Sequence, residues 1–111
     1  MSETPLLNSA DEKAIEKGKR RVRRTAKQRL EDMAAVMATP AGRRVIWDLL
    51  EDGRVHSTTF VPGDPLHSAF HEGARNLALS RLNTIMAACP DLYLLAQEEA
   101  RKKQKEDETD G

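Results

Sequence analysis

The chain has 111 residues, 39% hydrophobic and 32% charged, enough for one small domain and too few for two. Its cations and anions balance at 18 each, and Cys89 is the single cysteine, which excludes an internal disulfide or a cysteine-rich metal cluster and fits a reducing compartment. Aromatics make up only 4% (Trp47, Phe60, Phe70 and Tyr93), so the core must be built from Leu, Ile, Val, Met and Ala, a composition that points to an all-α fold.

No basic region followed by an apolar run opens the sequence, and no window approaches the roughly 20 apolar residues of a membrane span. A soluble protein without a membrane span is therefore expected. Residues 1–9 are read as a disordered N-terminus. Ser9 followed by Glu12 fits a capping box, which predicts a long basic amphipathic helix over residues 10–38. Within it Ile15, Gly18, Val22, Ala26, Leu30, Met33 and Met37 recur every three or four residues as one apolar stripe. So long a helix would outreach the rest of a small domain, and its first half is expected to project.

Residues 39–103 are read as a small bundle of about three helices. Thr39-Pro40 ends one helix and starts the next, because the residue before Pro disfavours α geometry while Thr caps and Pro suits the first helical position. The second helix has Val45, Ile46, Leu49 and Leu50 as its expected inner face and Gly53 as its expected left-handed terminator. Residues 54–63 read as a crossing loop anchored by Phe60, and Asp64-Pro65 repeats the cap. The third helix runs from Pro65 to about Ala88, with Phe70, Gly73, Ala74, Leu77, Ala78, Leu82, Ile85 and Met86 as its expected buried side. After Cys89-Pro90 a fourth helix turns Leu92, Leu95 and Ala96 inward, and residues 104–111, with Glu106, Asp107, Glu108 and Asp110, are expected to form a disordered acidic tail.

Few residues invite chemistry. His67 and His71 stand four apart and could share a zinc ion on one helix face, but His71-Glu72-Gly73-Ala74-Arg75 lacks the second histidine of a His-Glu-x-x-His motif, and no diagnostic spacing brings further ligands. Gly63 opens no phosphate-binding fingerprint, and Asp64 behind it would repel an anion. No nucleophile signature surrounds Ser57, Ser68 or Cys89. A protein that is not an enzyme and needs neither metal nor cofactor is expected.

Two patterns point instead to contact. Phe70 and Gly73 lie at i and i+3, where an aromatic beside a missing side chain suits close helix packing; Glu72 and Arg75 can pair on the flank, or Arg75 and the Arg43-Arg44 pair can fork carboxylates of a partner. Residues 17–29 hold Lys17, Lys19, Arg20, Arg21, Arg23, Arg24, Lys27 and Arg29 with no acid. Such a run suits DNA phosphates with a steep salt dependence, or else solvent or an acidic protein surface; with cations around the helix and no interleaved aromatic, sequence-specific readout is not expected.

The ordered pieces TPAGRRVIWDLL, TTFVPGDP, HSAFHEGARNLALSRL and PDLY, over about residues 34–100, resemble the Bbp19-like phage domain of tailed bacteriophages. Thr39, Gly42, Arg43, Val45, Phe60, Phe70, Glu72, Gly73 and Arg75 carry the resemblance most clearly. It implies a virion or assembly protein and supplies no catalytic residues. The expected protein is made in the host cytoplasm and built into or onto the particle, at the head–tail or internal ejection apparatus, in several copies or as a homo-oligomer among other phage structural proteins, since a core of this size gains stability by burial against neighbours. A nucleic-acid-associated accessory protein using residues 17–29 and an inhibitor of a host protein remain as alternatives.

Overall fold

The computed structural model of the chain describes residues 9–57 and 62–110. Phe60 and the expected disordered start, apart from Ser9, lie outside them. The described residues form α1 (Ser9–Met37), α2 (Pro40–Asp52), α3 (Pro65–Ala88) and α4 (Pro90–Asp110), with no strand among them. The all-α expectation of a long first helix and a small bundle holds.

Each junction is set by local chemistry. At the α1–α2 corner Thr39 is extended (φ −102°, ψ 145°), its hydroxyl donates to the Val36 carbonyl at 3.1 Å, and its oxygen accepts from Gly42 N–H at 3.0 Å. The corner is so tight that a Cβ on Gly42 would run into the Val36 carbonyl. Asp64 accepts from His67 N–H at 2.9 Å to start α3, and Pro65 occupies its first turn. Between α3 and α4 the Cys89 N–H bonds to Ile85 O at 2.7 Å, while the Cys89 carbonyl accepts from Leu92 and Tyr93.

Gly53 does not terminate α2 in the left-handed region as expected. Its φ is −79°, and Arg54 takes the left-handed position with φ 55°. Arg54 N–H then bonds to Glu51 O at 2.9 Å and Val55 N–H to Leu50 O at 3.2 Å, a Schellman motif sealed by the buried pair Leu50 and Val55. Glycine is needed at 53 for proximity: a Cβ there would overlap Cβ of Ala78 and press on Ala74 O at 3.2 Å.

One small core forms from Met37, Leu50, Val55, Ala78, Ile85 and Ala96, with Met33, Ile46, Trp47, Leu79, Leu82, Cys89, Leu92 and Tyr93 packed around it. All four helices contribute, but only along part of their lengths. The molecule measures 81 × 41 × 16 Å with a radius of gyration of 21.1 Å, against about 13 Å for a compact domain of roughly this size. Two helices make it long. The first half of α1 is exposed, as expected, and α4 continues to Asp110, so the expected disordered tail over 104–111 is helical up to that residue. Lys, Gln and Glu are good helix formers, and Gln104–Glu108 and Thr109–Lys105 bonds at i,i+4 spacing support the extension.

Candidate protein interface

The inner face of α2 carries a residue that the apolar pattern alone would not place there. Arg43 is only 8% exposed; its Nε donates to Glu99 Oε1 at 2.5 Å and its Nη1 to the Met37 carbonyl at 2.9 Å. One guanidinium thus ties the last turn of α1 and the middle of α4 to the start of α2. Arg43 is committed within its own chain, which corrects the expectation that it forks a partner's carboxylate. The desolvated cation needs both partners, and charge-assisted bonds of this kind supply them. Arg44 is exposed beside it.

Because Arg43, Ile46, Trp47 and Leu50 turn inward, Val45 and Leu49 lie outside the core, and Val45 is 65% exposed. They line a groove with Gly53, Ala74, Ala78 and Leu77, the last 57% exposed, and Asp48 and Asp52 also line it. Gly53 at the end of α2 packs against Ala74 and Ala78, and the turns of α3 before them are largely exposed. Leu66 and Phe70 stand there on the same side of α3 as Ala74 and Leu77, and Phe70 is 72% exposed. Gly73 has open space where a Cβ would sit. The expected burial of Phe70, Leu77 and Met86 and the expected close contact at Gly73 are therefore corrected: the tight glycines are Gly42 and Gly53, and Phe70 and Gly73 belong to an exposed apolar band. Leu95, expected inward on α4, is also exposed.

Arg75 lies on the other side of α3, half-buried, with its Nε buried and without a hydrogen-bond partner. Glu72 is exposed. His67 and His71 stack at 4.5 Å between ring centroids, and His67 Nδ1 is 3.5 Å from Asp64 Oδ2. Partial desolvation, followed by the charges of Arg54 and His67, lowers the His71 pKa. Among the described residues no group of three or more His, Cys, Asp or Glu is arranged to hold a metal ion.

On the opposite side of α2, Trp47 packs against Tyr93 and His56, each at 5.9 Å between centroids, and Tyr93 Oη lies 3.3 Å from His56 Nε2. Trp47 Nε1 donates to Glu51 at 2.8 Å. Neither this aromatic patch nor Glu99 stands out in the sequence; the i,i+4 spacing of Trp47 and Glu51 signals one contact, while the 56-residue separation of Arg43 and Glu99 leaves no local signal.

The eight cations of residues 17–29 are all exposed along α1. Lys19 reaches Glu16 at 3.6 Å and Lys27 reaches Glu31 at 3.9 Å, while Arg20, Arg21, Arg23 and Arg24 make no ion pair among the described residues. No helix among the described residues is long and apolar enough to cross a membrane.

A family model described as Bbp19-like phage protein matches residues 33–98. That is more than half of the chain, and its limits coincide with the end of α1, the whole of α2 and α3, and the part of α4 that touches the core. No curated protein and no solved structure matches the chain.

Proposed function

We propose that this chain, which belongs to the Bbp19-like phage protein family, is a virion-associated structural or assembly protein that works by contact with other phage proteins, without catalysis or cofactor. The observation that supports the reading is the apolar band of Leu66, Phe70 and Leu77 on α3 with Val45 and Leu49 on α2, exposed beside a small core. Clustered apolar surface of this kind marks interaction sites. Gly73 would let a partner's backbone approach Phe70 closely. The part of the chain that the family model matches includes this band.

In this reading the protein is made in the host cytoplasm and incorporated in several copies at the head–tail or internal ejection apparatus. The test is mass spectrometry of particles purified by density gradient. Peptides of this chain at a fixed ratio to a portal or tail protein are expected; abundance in infected cells with absence from particles would reduce the role to assembly or to action on a host protein. The unpaired arginines of α1 favour a second reading, a nucleic-acid-associated accessory protein, and the experiment below separates it from the first.

A further inference from the structure

The free half of α1 is unusual for a solvated helix. Ile15, Gly18 and Val22 continue the stripe that is buried at Met33 and Met37, yet Val22 is 69% exposed. The remaining circumference carries the unpaired Arg20, Arg21, Arg23 and Arg24. DNA phosphates would use the cations and leave the stripe idle, whereas an apolar groove with acidic rims would use both.

The molecule has such a groove. Between α2 and α4, Trp47, Leu94 and Ala100 lie in a groove with Asp48, Glu51, Asp107 and Glu108; Arg101, paired with Glu98 at 2.6 Å, and Lys103 also line it, so acids exceed bases there. Asp48, Glu51, Asp107 and Glu108 make no ion pair among the described residues, although Glu51 accepts from Trp47 and Glu108 from Gln104. From Leu94 to Glu108 the groove follows α4 for about 21 Å, and the basic stretch 17–29 spans about 18 Å. The lengths correspond, and the acids outnumber the bases in the groove, with Lys103 the one lining cation outside an ion pair among the described residues. The arm cannot reach the groove of its own chain, because α1 is continuous and residues 19–36 contain neither Gly nor Pro at which to fold back.

We propose that the basic arm of one copy docks in the acidic α2–α4 groove of a second copy, so that copies join head to tail. Two arms are poorly suited to pair with each other, since that would oppose like charges. The proposal rests on the contact-based reading, but the two can fail separately: particle proteomics tests presence in the virion, and the following tests self-association.

Sedimentation velocity of the full-length chain is measured over a range of concentrations at low salt and at about 0.5 M salt, where exposed charges are screened. Species larger than a monomer that grow with concentration and disappear at high salt are expected. The arm variant R20E/R23E/R24E and the groove variant D48K/D107K/E108K should each be monomeric with unchanged helical circular dichroism, because the substituted side chains are exposed. Mixing the two variants should restore association, since each supplies the partner the other lacks. Val22→Gln, which keeps the charge, should weaken it roughly tenfold through lost apolar burial. A wild-type chain that stays monomeric, assembly indifferent to either reversal set, or failure of the mixture to associate would overturn the proposal. So would a monomer that binds duplex DNA through the same arginines, an outcome that assigns the arm to nucleic acid.

Discussion

The two ends of α1 follow one apolar pattern and meet different fates. At its C-terminal end Met33 and Met37 pack into the core and the chain turns at Thr39 under the hold of Arg43, whereas at its N-terminal end Ile15 and Val22 occupy the same stripe and are exposed. Amphipathicity specifies that a helix face needs a partner; it does not say whether the partner is in the same chain. Here the folded domain uses the last turns of the stripe, and the remainder is available to another molecule.

That contrast can be broken most forcefully at the corner. Arg43→Ala removes the link among α1, α2 and α4 and leaves Glu99 and the Met37 carbonyl without their donor; a loss of about 3–5 kcal/mol is expected by thermal or denaturant unfolding. Ile85→Ala, at a fully buried position, should fall in the range of about 2–5 kcal/mol. Val22→Ala on the free arm should change stability by under about 0.5 kcal/mol. Equal losses at Ile85 and Val22 would mean that the arm is packed within the monomer.

The glycines sharpen the same comparison. Gly42→Ala places a methyl group against the Val36 carbonyl and should destabilise by about 1–3 kcal/mol, through strain that the tight corner cannot relieve. Gly73→Ala meets open space inside a helix, so the better helix former should stabilise by about 0.5–1 kcal/mol. A stabilised Gly42→Ala or a destabilised Gly73→Ala, read from unfolding midpoints, would reverse the assignment of close contacts.

The smallest effect concerns pH. Because the folded state lowers the His71 pKa below its ordinary value of 6.5, protonation favours the unfolded chain, and the associated stability is complete above 6.5 and declines as pH falls through it. The melting temperature should drop slightly more on acidification in the parent than in His71→Gln. Parallel slopes for the two proteins would remove His71 from the pH response.

Much of this architecture was legible in local sequence. Thr39-Pro40, Asp64-Pro65 and Cys89-Pro90 mark helix starts because capping and the constraints of proline act within a few residues. The orientation of the helices was less accessible. On α3 both Phe70 and Ile85 fit an apolar periodicity, and only the packing of the other helices, which no local pattern specifies, leaves one exposed and the other buried. Gly53 and Gly73 look alike in sequence, yet only Gly53 meets a neighbouring helix. Arg43 read as a surface cation because nothing local announced Glu99. The end of α4 resembles a disordered acidic tail in composition, yet its Lys, Gln and Glu are good helix formers.

The central claim is that the free half of α1 is uncovered in the isolated chain and covered in the assembly. Hydrogen exchange by mass spectrometry on the dilute full-length chain and on purified particles tests it directly. Slow exchange in peptides containing Met37, Leu50 and Ile85 is predicted in both samples, with residues 15–25 exchanging quickly in the dilute chain and slowly in the particle. Protection of residues 15–25 in the dilute monomer, or their rapid exchange in the particle, would contradict the account.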